Sequence, residues 1–301
     1  MKYLDLSGID LHEATDCLLP MPPSISDLYM RDCQLTNISP SLKYVNLTSV
    51  VILDLSLNNF NFELPHWLFN LNRDLSHLDL ENNRLYGEIP SSLFNYQNLE
   101  YLDLSVNMFF GFLPLTLGNL TYLVSLNMGY NSFSGTISEM HFSILQNLQE
   151  LYLSKTRFTF HFNPEWIPPF QLKSVYLDYT NQGPQFPPWI YIFKSYFLVY
   201  PCRAQNCHLQ LIEVQTLNLS YNHLTGTILK TIGRMKKLES LDLSNNKLFG
   251  EIQENMANLS FLSYFNLSFN NFSGQIPIGT QLQSFSVSSY DGNPEMKTKH
   301  Y

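Results

Sequence analysis

A pair of apolar residues in the pattern L-x-L returns again and again along this 301-residue chain. The first members of the pairs are Leu4, Leu28, Leu53, Leu78, Leu102, Leu126, Leu151, Val175, Leu217, Leu241 and Phe265. The intervals between successive members are almost equal, except for the long one from Val175 to Leu217. Alternation over three residues predicts a short strand, and so short a strand cannot bury its apolar face alone. The chain is therefore predicted to stack eleven similar units.

The residues after each pair identify the kind of unit. The strings LDLSLNNFNFELP, LDLENNRLYGEIP and LNLSYNHLTGTIL resemble the plant-type leucine-rich repeat, L-x-L-x-x-N-x-L-x-G-x-I-P, and the resemblance covers residues 1–290. It implies an α/β fold, a leucine-rich repeat solenoid that forms a right-handed, curved, superhelical stack with a parallel concave β-sheet. We divide the chain into repeats 1–8 (1–187), an irregular segment that is an island remnant or a deletion junction (188–212), repeats 9–11 (213–290) and a truncated tail (291–301).

An asparagine follows the strand in seven repeats and is predicted to point inward. These residues are Asn58, Asn83, Asn107, Asn131, Asn222, Asn246 and Asn270. A buried amide without partners would cost about 1–3 kcal/mol, so each must bond backbone groups of the turns around it. The family is known for such an asparagine ladder. Ile9, Cys33, Thr156 and Thr180 hold this position in the other repeats, where we expect the ladder to be weakest.

Ligand binding is expected on the concave strand face. We assign five exposed positions to each repeat: two before the L-x-L pair, one inside it and two after it. Tyrosine fills nine of these 55 positions, and acidic residues outnumber basic ones by twelve to four. The tyrosines either form a binding surface or reflect the strand preference of aromatic residues. The acidic excess predicts a neutral or basic partner.

Repeats 7 and 8 depart most from the LDLS string, and we place the ligand there and on the two preceding repeats. The predicted ligand-binding residues are Tyr101, Tyr130, Tyr152, Lys155, Lys173, Tyr176, Asp178 and Tyr179. The family resemblance implies a peptide or protein ligand, with a co-receptor or adaptor receptor kinase as a second partner.

Seven N-x-S/T sequons predict N-glycosylation, although NLS and NLT are also near-consensus strings of the repeat. They begin at Asn37, Asn46, Asn119, Asn218, Asn258, Asn266 and Asn271. Cys202 and Cys207 are the one close pair of cysteines and are candidates for a disulfide. With His208 they lack the paired spacing of a zinc site, so we predict no metal.

Catalytic motifs are not recognised: the eight histidines form no H-E-x-x-H pair, and there is no nucleophile elbow or phosphate loop. We therefore predict no enzyme, no catalytic residue and no cofactor. With 17 basic against 25 acidic residues, a nucleic-acid partner is excluded. The longest apolar run, Trp189 to Tyr200, is too short to span a bilayer. Because the sequence opens inside a repeat strand, we expect no signal peptide in it.

These features indicate part of the ectodomain of a plant cell-surface receptor in defence or peptide perception, which signals through a co-receptor kinase. The full-length parent is expected at the plasma membrane, on its extracellular side, and this chain is not expected to insert into the membrane itself. Two alternatives stay open: a secreted protein similar to polygalacturonase inhibitors, and a non-functional truncated gene product.

Overall fold

The structure is a computed structural model that describes residues 1–14, 18, 21–36, 47–184, 187–190, 213–228, 230–278 and 281–297. It consists of two compact units, the N-terminal block Met1–Thr159 and the C-terminal block Phe160–Tyr301. Repeats stack side by side within each block, which confirms the predicted leucine-rich repeat fold. Among the predicted sites, Asn37, Asn46, Cys202 and Cys207 lie outside the described residues, as does most of segment 188–212.

The main sheet of the N-terminal block is built from parallel strands of three residues. They are Tyr3–Asp5, Asp27–Tyr29, Ile52–Asp54, His77–Asp79, Tyr101–Asp103, Ser125–Asn127 and Glu150–Tyr152. Equivalent residues stand opposite each other: Leu53 pairs with Leu78, and Leu78 with Leu102. The L-x-L spacing therefore sets the strand pairing directly.

The main sheet of the C-terminal block follows the same rule. Its strands are Ser174–Tyr176, Thr216–Asn218, Ser240–Asp242 and Tyr264–Asn266. Val175 stands opposite Leu217 although the sequence between them is much longer than one repeat. The long interval therefore leaves the pairing of repeats 8 and 9 intact.

A second set of short parallel strands follows the asparagine of most repeats. They are Tyr86–Gly87, Met108–Gly111, Ser132–Ile137 and Arg157–Phe160, and then Thr225–Gly226, Lys247–Glu251, Asn271–Gln275 and Glu295–Lys297. Phe110 pairs with Ser132, whereas the residue at the same position of repeat 6 is Ser134. The two strands are therefore shifted by two residues relative to each other. The turn needs glycine: Gly111 has a φ of +87°, and a Cβ there would lie 2.8 Å from Cγ of Glu88.

The helices of the described residues are 3₁₀ turns of three to five residues. They are His66–Asn70, Ser91–Asn95, Leu115–Asn119, Glu139–His141, Pro188–Ile190, Lys230–Arg234, Glu254–Asn258, Gln281–Ser284 and Val287–Ser289. Pro65, Pro90 and Pro114 stand directly before the first three of these turns, and the ring of each proline fixes its own φ near the value found in helices. In the described part of the chain, no helix is long and apolar enough to cross a bilayer.

The core is a stack of leucines with an aromatic column beside it. The leucines of the L-x-L pairs are almost fully buried from repeat 2 onward, as at Leu78 and Leu102. The rings of Phe109, Phe133 and Phe158 stack at centroid distances of 6.1 and 5.8 Å. Each repeat thus buries its apolar residues against its neighbours, as a stacked fold requires.

The asparagines bond the turn backbone on both sides. Asn107 accepts the N–H of Leu85 at 3.0 Å and donates to the carbonyls of Leu80, Leu104 and Ser105 at 2.9–3.2 Å. The same four bonds occur at Asn58, Asn83, Asn131, Asn222, Asn246 and Asn270, and the oxygens of Asn58 and Asn222 each accept one more.

The other residue types at this position make fewer contacts. The Cys33 thiol donates to the Leu6 carbonyl at 3.0 Å, and the Thr156 and Thr180 hydroxyls donate to carbonyls three residues earlier at 2.7 and 2.8 Å. Ile9 is 48% exposed. A hydroxyl or thiol therefore preserves part of the ladder, and isoleucine does not.

The C-terminal block continues beyond repeat 11. Asn293, which the sequence analysis placed in a tail, accepts the N–H of Phe272 at 2.9 Å and donates to the Leu267 carbonyl at 3.0 Å. The strand Glu295–Lys297 pairs with Asn271–Gln275, and the ring of buried Tyr290 lies 5.7 Å from that of Phe265. The described residues 291–297 therefore extend the stack beyond repeat 11.

Candidate functional site

The candidate site is the solvent side of the main sheets, which we call the strand face. It exposes fewer positions than the five predicted for each repeat. The residue directly after the second leucine is buried in most repeats, as at Ser105, Ser154 and Ser220. This difference arises because the chain turns inward at that point to bring the asparagine into the ladder. Small hydroxyl side chains suit the space left there.

The next residue has a left-handed backbone conformation in every repeat. It is Gly8 in repeat 1, and in repeats 2–11 its φ lies between 51° and 55°. The residues with this conformation are Asp32, Leu57, Asn82, Val106, Tyr130, Lys155, Tyr179, Tyr221, Asn245 and Phe269. Side chains other than glycine and asparagine rarely adopt it, so the fold imposes strain here. The sequence analysis missed this feature because the residue types share no property; Gly8, Asn82 and Asn245 were the available signal.

In the N-terminal block, the predicted site residues fall on the last repeats of the strand face. Tyr101 is half-buried, and its hydroxyl donates to Asp103 at 3.3 Å. Tyr130 is 49% exposed, and Nζ of Lys155 lies 4.8 Å from its ring centroid, which is a cation–π distance. Tyr152 is half-buried on the neighbouring strand. The structure thus joins Tyr130 and Lys155 in one direct contact.

In the C-terminal block, the predicted residues differ in accessibility. Lys173 and Tyr179 are exposed and Tyr176 is half-buried. Asp178 is buried, and its carboxylate accepts a hydrogen bond from Asn218 at 3.2 Å, so it offers little to a ligand. Tyr179 stacks on Tyr221 with centroids 4.0 Å apart and rings 10° from parallel. Tyr221, which was outside the predicted set, therefore extends this part of the site.

A row of carboxylates runs across repeats 3–5 of the strand face. Asp54, Asp79 and Asp103 stand in register on adjacent strands. Asp54 and Asp103 each accept a serine hydroxyl two residues later at 2.6 Å, whereas Glu81 replaces that serine in repeat 4. Burial raises the pKa of Asp79 to about 7, and the charges of Asp103, Asp54 and Glu81 contribute to the rise. This part of the face is strongly acidic.

The described sequons fall into two environments. Asn119, Asn258 and Asn271 are exposed at the ends of 3₁₀ turns or on the second sheet. Asn218 and Asn266 are half-buried on the strand face and each accepts the backbone N–H two residues later at 3.0–3.1 Å. Their amides also donate to Asp178 and Asp242. Glycans on the first three would leave the strand face open.

Metal-binding geometry is not found in the described part of the chain: no three His, Cys, Asp or Glu residues there could hold an ion together. The strand face presents aromatic rings, carboxylates and four basic side chains, those of Lys2, Arg31, Lys155 and Lys173. These groups suit contact with another polypeptide through stacking, hydrogen bonds and charge.

Comparison with known proteins places these repeats in a family. A sequence model described as Leucine Rich Repeat matches residues 74–96, 98–120, 213–235, 237–259 and 261–282. Receptor-like protein EIX2 of Solanum lycopersicum is 35% identical over 105 residues, which are 33% of this chain and 10% of that protein. The chain thus spans about a tenth of the length of this relative.

Two solved structures from Arabidopsis have the same fold. The ectodomain of the plant membrane receptor kinase GASSHO1/SCHENGEN3, in complex with CASPARIAN STRIP INTEGRITY FACTOR 2, matches with a TM-score of 0.73 and 29% identity, over 92% of this chain and 31% of that chain. The receptor kinase HAESA, in complex with the peptide hormone IDA and the co-receptor SERK1, matches with a TM-score of 0.57 and 27% identity, over 98% and 42% of the two chains. This chain therefore has the leucine-rich repeat fold and is similar to plant receptor-like proteins and receptor ectodomains.

Proposed function

We propose that the chain is the ligand-binding part of a plant cell-surface receptor with a role in defence or peptide perception. EIX2 is a receptor-like protein, and the HAESA structure contains a peptide hormone and a co-receptor. By analogy, the ligand is a peptide or a protein, and a co-receptor or adaptor kinase is the second partner. The parent protein would lie at the plasma membrane with these repeats outside the cell, glycosylated and without catalytic activity.

One observation carries the placement of the ligand on the strand face: tyrosines occupy its strained, left-handed positions with their rings in solvent. Tyr130 and Tyr179 are 49% and 44% exposed, and their φ values are 55° and 52°. A fixed backbone loses little further conformational entropy on binding, and tyrosine offers a large amphipathic area on a side chain with few rotatable bonds. On the C-terminal block the proposed anchors are Tyr176 and Tyr179, and on the N-terminal block Tyr130 and Tyr152.

The sign of the partner's charge follows from the carboxylates. The row Asp54, Asp79 and Asp103 repels an anionic segment and attracts a cationic one. We therefore propose a neutral or basic ligand, with Lys155 and Lys173 at the rim, where charges affect the association rate more than the affinity.

The experiment is selection of a random 12-residue phage-displayed peptide library on the purified chain. Selected peptides should be neutral or basic, and Tyr176→Ala with Tyr179→Ala should weaken them at least tenfold, the usual effect of removing a desolvated aromatic anchor. Tyr122→Ala is the control, since Tyr122 is 57% exposed outside the strand-face positions. Selection of acidic peptides, or equal affinity for the double variant and the parent, would contradict the proposal.

A further inference from the structure

A second surface of the N-terminal block is apolar and lies on the second sheet, apart from the strand face. It consists of Tyr86, Met108, Phe110, Phe112 and Leu115, which we call the lateral patch. All five side chains are exposed, with Phe110 at 48% and Phe112 at 70%. Five large apolar side chains within two adjacent repeats form the kind of patch that marks an interaction site.

The patch is continuous. Tyr86 stands opposite Met108 on the neighbouring strand, and Phe110 projects from the same face two residues later. The ring of Phe112 lies over the glycine of the next repeat: a Cβ on Gly135 would come within 2.3 Å of it. The first four side chains therefore form one surface that crosses the strand of repeat 5, and Leu115 follows at the start of the next 3₁₀ turn.

The fold itself does not require these residues, as the other repeats of this chain demonstrate. In repeat 4, Arg84 and Glu88 lie on either side of Tyr86, and in repeat 10, Lys247 and Glu251 lie on either side of Phe249. Each is a base, an aromatic ring and an acid at alternate, outward positions. Repeat 5 keeps the ring, Phe110, but has methionine for the base and phenylalanine for the acid. Repeat 5 therefore exposes apolar side chains at the two positions where repeats 4 and 10 expose charged ones.

The border of the patch is polar and carries a defined charge. The Glu63 side chain lies over Gly87, 3.0 Å from a Cβ built there, and Glu88 lies over Gly111 at 2.8 Å. These two carboxylates therefore stand beside Tyr86 and Phe110. On the other side, repeat 6 presents the exposed hydroxyls of Ser132 and Thr136. An apolar centre with a polar rim is the usual composition of a protein–protein interface.

We infer that the lateral patch binds an amphipathic helix of another protein, with apolar side chains on Phe110 and Phe112 and lysine or arginine against Glu63 and Glu88. Outward side chains on one strand are about 6.6 Å apart and strands about 4.8 Å apart, so the patch is a platform of a size that one helix, about 10 Å wide, can cover. The two carboxylates outnumber the one base beside Tyr86, Arg84, so charge complementarity favours a basic helix. The same carboxylates disfavour an anionic membrane surface. This inference does not depend on the strand face or its ligand.

The probe is a pair of labelled 18-residue helical peptides, both with leucine on one face and with either lysine or glutamate on the other. Fluorescence anisotropy with the full chain should detect binding of the lysine peptide, weakened at least tenfold by Phe110→Ser. Phe249→Ser is a matched control because Phe249 has the same position in repeat 10 and the same 48% exposure. It should change the affinity less than twofold. Glu63→Lys with Glu88→Lys should reverse the preference between the peptides.

Several results would overturn the inference. Equal weakening by Phe110→Ser and Phe249→Ser would show binding without a specific site, and equal affinity for both peptides would remove the role of the carboxylates. Sedimentation velocity gives another outcome: a dimer of the parent that Phe110→Ser converts to a monomer would assign the patch to a second copy of the chain. Binding to phosphatidylcholine–phosphatidylserine vesicles that Phe110→Ser abolishes would assign it to a membrane instead.

Discussion

Replacement of Asn246 by leucine tests the ladder at a position where the loss can be counted. Asn246 donates to the carbonyls of Leu219, Leu243 and Ser244 at 3.0–3.1 Å and accepts the N–H of Leu224 at 3.0 Å. Leucine branches at Cγ as asparagine does, but it can make none of these bonds. The cost depends on which backbone groups are left without a partner.

Each of the three carbonyls keeps another donor. Leu219 still receives the amide of Asn222 at 3.1 Å, and Leu243 that of Asn270 at 2.9 Å. Ser244 keeps a backbone N–H at 3.0 Å. Among the described residues, the N–H of the fully buried Leu224 donates to Asn246 alone. The substitution therefore leaves one buried N–H without an acceptor, and this group accounts for most of the loss of stability. An unsatisfied buried donor costs about 1–3 kcal/mol in free energy of unfolding.

Urea unfolding followed by circular dichroism measures this loss. With a slope of roughly 3 kcal/mol per molar urea for a chain of this size, 1–3 kcal/mol corresponds to a midpoint lowered by about 0.3–1 M. Asn61→Leu is the control, because Asn61 is exposed and lies outside the ladder. If both substitutions shifted the midpoint equally, the count of orphaned groups would be refuted.

Three further predictions use the same assay or a close relative of it. Asn245→Val should lower the free energy of unfolding by about 1–2 kcal/mol, because a β-branched residue resists the φ of 54° there, whereas Asn245→Gly should change it by less than about 1 kcal/mol; equal effects would contradict the strain. The raised pKa of Asp79, about 7 against 3.8 in the unfolded chain, means that its carboxyl favours folding when protonated and that this stability is lost as pH rises from about 4 through 7. Asp79→Asn should therefore raise the midpoint at pH 8 and have little effect at pH 4, and a shift of the same size at both values would refute this. Asn293→Leu should reduce amide-exchange protection of residues 281–297 while leaving the main sheet of repeats 9 and 10 protected; unchanged exchange would contradict the last rung of the ladder.

The sequence predicts the strands and the ladder well because both depend on residue types that few others can replace. A leucine at each inward position and an asparagine that joins two turns leave a regular mark in most repeats. Asn293 escaped prediction because no L-x-L pair precedes it, although its distance from Asn270 is close to the length of one repeat. The sequence shows the repeat spacing at Asn293, but it lacks the L-x-L pair that marks the strand in the other repeats.

The strand face is harder to predict because backbone conformation, rather than residue type, decides which of its side chains reach solvent. The left-handed position holds valine, lysine, tyrosine and phenylalanine in different repeats, so composition gives no warning of it. Asp178 follows the string VYL as an apparently exposed acid, yet the turn buries it. The lateral patch was missed for another reason: Phe109 fits the apolar consensus position, and the unusual apolar residues Met108 and Phe110 on either side of it look like part of the same buried run.

The ladder between repeats 8 and 9 makes the stack indifferent to the length of chain that connects them. Asn222 donates to the Leu177 carbonyl at 2.7 Å and accepts both the Thr180 hydroxyl and the Gln182 N–H, although all three partners are distant in sequence. Cohesion there comes from bonds between the repeats rather than from the covalent link. The interval between Ile190 and Glu213 is thus a natural place for domain insertion, where the length of the connection can change while these bonds between repeats 8 and 9 are kept. Connections of different length and sequence can therefore be accommodated at this junction with little loss of folding stability.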